Sequence, residues 1–585
     1  MSENHIKHPI DSILCNNFND QKALIRGKFF LRHIFMVHTE NNKKLIGLIF
    51  AFFFLINIAS SGGHFDWWDG MEAFFVTESM VLKHTAKLDP SVPSIAKLNF
   101  DINYTVNTNK ILQTKENPNN NNNTEVLLEP VYTVRSLMLS AAAVPFYYAA
   151  MLLSVSPIAI IGLFVNSLFI SLTCVVIFCF SLELNRSKKI SLASSVIFGV
   201  CSFVWPYNTT FWVQPLQALT LILSAFFIFK SLHYNQSFIC HYILSNSNDK
   251  RKGHYFASLG GLFLGLSVFA HPTSIIVIPG FLVYSFIFIQ RRNKNTKAFF
   301  SFLIVLGIVL FLAGAVNYAR FGTFTEFGYG SFSSLAMHDG WRGLIGLIIS
   351  PGAGLLIFFP MAILLPLGFK YMYNQNKGLL FLFAFIIIIH WIYVGTLSFN
   401  FEPFSWSGGV AWGPRYFIPI LPFVTLIIGS IFTNLGKKIF LKALVVSLGV
   451  AGFTINLFGT LIWDQYGIMY GWQREGLAAY PNSLDMMTWN PIHSPIILHV
   501  KAFIDNYVSG IQPDIYINTS WNWVAYGLAP CSVDLYVFCK FGITSIVALI
   551  GFTSFIAFLL MKETGLSKGI LKGNSLFDKM RFIKR

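Results

Sequence analysis

The stretch PIAIIGLFVNSLFISLTCVVIFCFSL, residues 157–182, contains no Asp, Glu, Lys or Arg. A run of about 18 or more apolar residues is long enough to cross a bilayer as a helix. Several such runs occur in the 585 residues, which are 54% hydrophobic and only 12% charged. Ordinary soluble proteins carry about twice that share of charge. The composition therefore predicts an all-α polytopic membrane protein.

The apolar runs predict about twelve transmembrane helices, within a range of about 11 to 13. The predicted spans are residues 45–60, 156–183, 190–206, 212–231, 255–270, 273–290, 298–316, 345–369, 378–397, 416–434, 439–462 and 541–561. Loops rich in Lys and Arg alternate with loops poor in them, as the positive-inside rule requires when the N-terminus is cytoplasmic. The apolar run 137–153 is followed closely by another span, so we expect an interfacial or re-entrant helix there.

This topology divides the chain into parts with distinct locations. We expect a cytoplasmic N-terminal segment (1–42), a transmembrane catalytic core (43–462) with a first outer loop (61–136), an extracytoplasmic segment (463–540), a last transmembrane helix (541–561) and a basic cytoplasmic tail (562–585). The net charge of +16 arises mainly in short loops, so it indicates orientation in a cell membrane and argues against nucleic-acid binding.

Two kinds of modification are predicted on the outer side. Sequons for N-glycosylation occur at Asn103, Asn122, Asn208 and Asn518. Cys531 and Cys539 share one outer loop, and they are candidates for a disulfide, although their spacing alone does not establish the bond.

The stretch FDWWDGMEAFF, residues 65–75, places carboxylates beside the first apolar run. Asp69 and Glu72 are three residues apart, which suits a shared helix face or a helix cap. In the structural interpretation they only start a helix, with Asp69 at the N-cap. In the functional interpretation Asp69 is a general base, because an apolar boundary raises the pKa of a carboxylate toward useful values. Asp66 is the rival base, and Glu72 could hold either one.

Cationic and aromatic candidates follow in the other outer loops. Arg is the natural partner of a phosphate, because its planar guanidinium forms two parallel hydrogen bonds. Each Arg could instead pair with a nearby acid or with lipid headgroups. The candidates for substrate binding are Arg415, Arg320, Arg342, His271, Trp412 and Tyr416.

The chain resembles the GT-C superfamily of membrane glycosyltransferases, in particular the RgtA/B/C/D-like and protein-mannosyltransferase-like branch. An ordered set of stretches carries the resemblance: Asp66, Asp69, Glu72 and Thr77-Glu78-Ser79, then AVPFYY (143–148), WPYNTTFWVQPL (205–216), HPT (271–273), NYARFG (317–322), LIGLIISPGAGL (344–355), GGVAWGPRYFIPILPF (408–423) and TWNPIHSPIILH (488–499).

The resemblance implies an active site formed by the outer loops, where a carboxylate activates the acceptor and basic residues hold a carrier phosphate. The implied reaction moves a sugar, with inversion, from a polyprenyl- or dolichyl-phosphate carrier to a glycan, lipid or protein acceptor. Three positions depart from the pattern: Gln214 stands where relatives often have an acid, His271 where they have Arg, and Ala353 where they have a basic residue. These departures put donor specificity in question.

Two other functions are compatible with the sequence. A lipid-linked sugar transporter or flippase would need charges and broken helices near the membrane midplane, whereas the candidate charges here lie at outer ends. A non-enzymatic envelope assembly protein would tolerate the loss of Asp69. The sequence has neither a DxD motif nor a His/Cys ligand set, so a divalent metal is compatible with the chemistry but not indicated.

Overall fold

The structure is a computed structural model, and helices make up almost all of its regular elements. It describes residues 40–65, 67–96, 132–232, 251–293, 296–326, 340–396, 405–409, 411–436, 438–462, 464–480, 483–505, 509 and 535–566. No strand occurs in these ranges. The α-helices are α1 Glu40–Ala59, α2 Trp67–Leu82, α3 Pro93–Ala96, α4 Leu137–Leu152, α5 Pro157–Asn185, α6 Lys188–Cys201, α7 Gln214–Leu232, α8 Arg251–Ala270, α9 Ile278–Asn293, α10 Thr296–Phe321, α11 Gly340–Ile349, α12 Leu355–Phe358, α13 Leu365–Gln375, α14 Lys377–Thr396, α15 Leu421–Gly429, α16 Ile439–Leu461, α17 Asp464–Gln473, α18 Ser483–Trp489, α19 Pro495–Phe503, α20 Tyr536–Phe541 and α21 Ile543–Thr564.

Short 3₁₀ turns connect several of these helices. They comprise Trp205–Asn208, Pro272–Val277, Pro360–Leu364, Ser405–Ser407, Arg415–Ile420, Ser430–Asn434, Leu477–Ala479 and Pro491–His493. Four of them have Pro in the first turn, where its missing N–H costs nothing and its fixed φ suits a helix start.

Eight helical segments in the described part of the chain are long and apolar enough to cross a membrane. They are Pro157–Asn185, Gln214–Leu232, Gly253–Ala270, Thr296–Phe321, Lys377–Thr396, Arg415–Asn434, Ile439–Leu461 and Ile543–Thr564. The prediction of an all-α polytopic membrane protein is thereby confirmed, while the count of about twelve crossings stays a prediction.

The remaining predicted spans form shorter or interrupted helices. The run 190–206 gives the 14-residue α6, and 273–290 begins with a 3₁₀ turn before α9. The run 345–369 is divided among α11, α12, a 3₁₀ turn and α13. Pro351 and Pro360 lie at its interruptions, since Pro lacks the N–H that a helix interior needs.

The predicted interfacial segment 137–153 is the 16-residue helix α4, which packs on both α2 and α5. Polar bonds join α2 to α4. Ser140 Oγ donates to the carbonyl of Ala73 at 2.8 Å, and Tyr147 Oη donates to Glu78 Oε1 at 3.0 Å. These bonds link two of the stretches that carried the family resemblance. They fix the first turn of α2 relative to the start of α4.

The helices that meet at the site are also held together at their opposite ends. α7 packs on α5 and α8, and α8 packs on α10. Lys230 Nζ lies 2.6 Å from Glu183 Oε1, and both side chains are almost fully buried near the C-terminal ends of α7 and α5. A buried charge of this kind is tolerated because its partner satisfies it. The N-terminus of α7 lies at the other end, beside the cavity described below.

The structure also bears on the outer-side modifications. Asn208 is fully buried, and its amide donates to the Asn57 carbonyl at 2.7 Å and to Ser60 Oγ at 2.8 Å. The folded chain therefore has no room for a glycan on Asn208, and the prediction for this sequon is wrong. The sequons at Asn103, Asn122 and Asn518 lie outside the described residues. Cys539 is disulfide-bonded, and Cys531 also lies outside the described residues.

Helices α11 and α14 approach each other through glycine. A Cβ built on Gly343 would lie 2.1 Å from the carbonyl oxygen of Gly395, a backbone atom that cannot rotate away. Beside this contact, Trp391 Nε1 donates to the Leu344 carbonyl at 2.9 Å. The approach of the two backbones thus depends on the missing side chain.

We expect Gly343→Ala to lower the free energy of unfolding by about 1–3 kcal/mol, the usual cost of overpacking. Thermal unfolding of purified protein in detergent measures the change. The control is Gly307→Ala, because Gly307 lies within α10 and an added Cβ there would meet nothing within 4 Å. We expect the control to be neutral or slightly stabilising. Equal stability of both variants would contradict the close packing of α11 on α14.

Candidate active site

One cavity gathers most of the sequence-predicted polar residues. It has about 760 Å³ of empty space, counting its open mouth. The first turn of α2, the start of α4, the start of α7, the end of α8, the end of α10 and the 3₁₀ turn Arg415–Ile420 surround it. The charged or titratable lining residues are Asp69, Arg135, His271, Arg320 and Arg415. Three guanidiniums thus face one carboxylate.

Asp69 is held by two guanidiniums at once. Its Oδ1 lies 2.5 Å from an Nη of Arg135, and its Oδ2 lies 3.1 Å from an Nη of Arg415. Burial raises the pKa of Asp69, but the attraction of Arg135 and then of Arg415 outweighs it, so the net pKa lies below the usual value. Asp69 is therefore ionised at neutral pH. Because α2 begins at Trp67, Asp69 lies in the first helical turn and not at the N-cap.

Glu72 lies behind this pair and contacts the same arginine. Its Oε2 accepts a hydrogen bond from Arg135 Nε at 3.0 Å, and its side chain is almost fully buried. Burial raises the pKa of Glu72 above its usual value, against the lowering effect of Arg135. Glu72 does not line the cavity. Its position suits the holding role that the sequence suggested, because it orients the arginine that contacts Asp69.

Arg320, in the last turn of α10, supports the segment that carries Arg135. One Nη donates to the carbonyls of Thr133 at 2.5 Å and Arg135 at 2.9 Å. Arg320 also lines the cavity and stacks on Phe321, with its guanidinium carbon 4.5 Å from the ring centroid. It therefore serves as a brace and as part of the cationic wall.

Arg135 is a site residue that the sequence analysis missed. It stands at the end of the long first outer loop, just before Ser136, whose side chain caps α4 by accepting from the Met138 N–H at 3.2 Å. An arginine that precedes a helix cap on the outer side, against the positive-inside tendency, was the available signal. It was overlooked because no quoted stretch contained it.

His271 lines the cavity through the turn between α8 and α9. Gln217 Nε2 donates to Thr273 Oγ1 at 2.9 Å, and Thr273 Oγ1 lies 2.8 Å from His271 Nδ1. The threonine hydroxyl therefore gives its own hydrogen to Nδ1, which leaves the ring hydrogen on Nε2. Burial, with smaller contributions from His390 and Arg415, lowers the pKa of His271 to about 3. At neutral pH its ring is an uncharged donor and not a cation.

Arg415 is surrounded by aromatic rings. Its guanidinium carbon lies 4.5 Å from the ring centroid of Trp212 and 5.0 Å from that of Tyr416, and one Nη donates to Tyr416 Oη at 3.3 Å. Cation–π contacts of this kind stabilise a partly desolvated guanidinium. Tyr416 therefore lies in the predicted site. Trp212, which was not singled out as a site residue, lies there too.

Three predicted site residues are not brought into the cavity. Arg342 forms an ion pair with Asp485 and stacks near Trp489, away from the other arginines. Trp412 is buried beneath the site, where its Nε1 donates to Asn456 Oδ1 at 3.0 Å and its ring contacts His499. Asp66 lies outside the described residues. Neither Arg342 nor Trp412 lines the cavity.

The arrangement suits an anionic ligand. The described lining has an excess of two positive charges, which favours a phosphate or another compact anion. Among the residues that the structure describes, no group of three or more His, Cys, Asp or Glu side chains could hold a metal ion.

Comparisons with known proteins give likenesses at low identity. The chain is similar to the apo oligosaccharyltransferase of Archaeoglobus fulgidus, with a TM-score of 0.42, 10% identity and coverage of 76% of this chain and 58% of that one. It is also similar to ArnT of Cupriavidus metallidurans bound to undecaprenyl phosphate, with a TM-score of 0.43, 11% identity and 80% coverage of each chain. Both solved structures are GT-C superfamily glycosyltransferases.

The likeness concerns the arrangement of helices only. The chain spans 58% of the length of the archaeal oligosaccharyltransferase that it matches. No family model matches the chain, and no curated protein matches it. The functional argument therefore depends on the residues of the cavity.

Proposed function

We propose that the chain is an integral-membrane glycosyltransferase. It moves a sugar from a polyprenyl- or dolichyl-phosphate carrier to a glycan, lipid or protein acceptor, with inversion, at an extracytoplasmic site. The observation that supports this proposal most directly is the contact of Asp69 with Arg135 and Arg415 in a cavity that Arg320 also lines. On the proposed topology the site belongs to the outer face of a cell membrane, with both termini in the cytoplasm.

The cationic wall would hold the phosphate of the carrier. A phosphodiester has one negative charge, and the phosphate monoester that leaves has up to two. Guanidiniums that are already in place stabilise the charge that develops on the leaving oxygen without reorganisation. Arg415 is the best placed for this role, because its stacking on Trp212 and Tyr416 fixes the plane of its fork.

Asp69 would be the general base. The acceptor oxygen attacks the anomeric carbon, the bond between that carbon and the phosphate oxygen breaks, and the acceptor proton passes to a carboxylate oxygen of Asp69. One carboxylate is sufficient, because the phosphate leaves without needing a proton. This differs from a glycosidase, which needs a second carboxyl group across the bond.

Phosphate binding would also prepare the base. In the empty cavity both oxygens of Asp69 contact guanidiniums, which lowers its pKa and makes it a weak base. A phosphate that takes part of the hydrogen bonding of Arg415 weakens the contact with Oδ2. Asp69 then becomes more basic only when a donor is present, so catalysis is coupled to donor binding.

The test is release of sugar from a panel of radiolabelled polyprenyl-phosphate sugars by purified protein in nanodiscs, with candidate acceptors added. We expect transfer from at least one donor and saturable binding of that donor. A transporter would bind and move the labelled lipid across a bilayer without cleaving it. An assembly protein would neither bind nor cleave it. Absence of donor binding across the whole panel would therefore overturn the proposed function.

A further inference from the structure

Two buried polar atoms in the cavity wall have no hydrogen-bond partner within the protein. They are Gln214 Oε1 and Trp212 Nε1, in residues that are only 4% and 2% exposed. Both residues line the same cavity as Asp69 and Arg415. Buried polar atoms in native proteins are normally bonded, and leaving one unbonded costs stability. The two atoms are an acceptor and a donor that a ligand in the cavity could satisfy.

The fold fixes the positions of both atoms. Asn166, buried in α5, donates from its amide to the carbonyls of Thr210 at 2.8 Å and Trp212 at 3.2 Å. Gln214 is the first residue of α7 and is followed by Pro215, which restricts the backbone at this point. The Arg415 guanidinium lies on the face of Trp212. The wall is therefore built before any ligand arrives, and its polar atoms are neutral.

The charged groups of the cavity are already engaged. Among the described lining residues Asp69 is the one carboxylate, and each of its oxygens contacts a guanidinium. An ammonium group on a ligand would thus find no carboxylate to itself, and three arginines would repel it. A second carboxylate on a ligand would have to compete with Asp69 and with the carrier phosphate for Arg135 and Arg415. The amide of Gln214 and the indole N–H of Trp212 instead suit hydroxyl groups.

We propose that the glycosyl group of the donor is an uncharged sugar whose hydroxyls bond to Gln214 and Trp212, and that the site selects against amino sugars and uronic acids. This inference rests on the proposed function, because it assigns the sugar side of the same cavity. The phosphate side is the wall of Arg135, Arg320 and Arg415.

The test uses matched donors on one carrier. Glucosyl, mannosyl and galactosyl decaprenyl phosphates are compared with their 2-amino-2-deoxy and uronic acid counterparts by direct binding to wild-type protein in nanodiscs. We expect at least one neutral donor to bind about tenfold or more tightly than its two charged counterparts, the factor that one lost or opposed charged hydrogen bond typically gives. This comparison needs no variant, so it does not depend on the folding of a mutant.

A charge change at Gln214 supplies the second measurement. Gln214→Glu should bring a carboxylate to the sugar and raise the affinity of the amino-sugar donor relative to the neutral one by about tenfold. The control is Gln375→Glu, because Gln375 is exposed at the end of α13 and bonds to Thr433, far from the cavity. We expect the control to keep the wild-type ranking.

The outcomes separate the two proposals. If an amino sugar or a uronic acid binds best to the wild type, or if charge makes no difference, the inference about the sugar is wrong while the transferase proposal stands. If no donor of the nine binds, the proposed function is overturned and the inference falls with it. A preference for a neutral sugar that Gln214→Glu shifts toward the amino sugar supports both.

Discussion

Replacing Asp69 with Asn is expected to lower kcat for sugar transfer by about 10²–10⁴-fold, the usual contribution of a general base. Asparagine keeps the size of the side chain but cannot accept the acceptor proton. It also removes the charge that occupies Arg135 and Arg415 in the empty cavity. Donor binding should therefore stay at wild-type strength or become tighter. Transfer assays and direct donor binding on the same preparation measure the two effects separately.

The matched control for this variant is Asp485→Asn. Asp485 is also a carboxylate paired with an arginine, Arg342, but the pair lies outside the cavity. We expect the control to retain transfer and donor binding. An Asp69→Asn protein with full kcat would exclude Asp69 as the base. Loss of donor binding together with transfer would instead assign Asp69 a structural role in holding the arginines.

The sequence was sufficient to predict the fold class and half of the site. Long uncharged runs can only be buried or face lipid, so a polytopic helical protein followed directly from composition. Asp69, Arg320 and Arg415 were candidates because each is a charge next to an apolar run, where charge is expensive. The structure places all three around one cavity. The family resemblance ordered these stretches but did not specify which side chains pair.

Pairing could not be predicted because it depends on contacts distant in sequence. Arg342 has the same local features as Arg415, an arginine in a Trp- and Gly-containing outer stretch. Its partner Asp485 lies 143 residues further along the chain. Arg135 joins Asp69 only because α4 packs on α2. Local pattern specifies where a charge lies relative to a span, whereas helix packing decides which charges meet.

Interruptions of helices were missed for a different reason. The run 345–369 is apolar throughout, and apolar composition alone predicts one crossing. The prolines at its interruptions remove backbone donors, and Ser350 compensates locally because its Oγ donates to the Thr488 carbonyl and accepts from the Gly352 N–H at 3.3 Å. A proline-containing apolar run is therefore a weaker predictor of a single span than a run such as 157–182.

Replacing Arg415 with Gln should weaken donor binding by about 30-fold or more. Removing one partner of a buried charged hydrogen bond costs about 2–5 kcal/mol, and each 1.4 kcal/mol is about tenfold in affinity. Arg415 is well buried and stacked on Trp212 and Tyr416, so no solvent cation can substitute for it. Arg415→Lys should give an intermediate affinity, because lysine keeps the charge but lacks the planar fork.

Arg342→Gln is the matched control for the Arg415 variant, since it removes an arginine from an ion pair that does not line the cavity. Binding of a polyprenyl-phosphate sugar and of the bare polyprenyl phosphate should be compared for all three proteins. If Arg415 contacts the phosphate, both ligands lose affinity by a similar factor, and Arg342→Gln changes neither. If only the sugar-linked donor loses affinity, Arg415 acts on the glycosyl side of the cavity. Normal binding of both ligands to Arg415→Gln would remove this residue from the site and leave Arg135 and Arg320 as the phosphate wall.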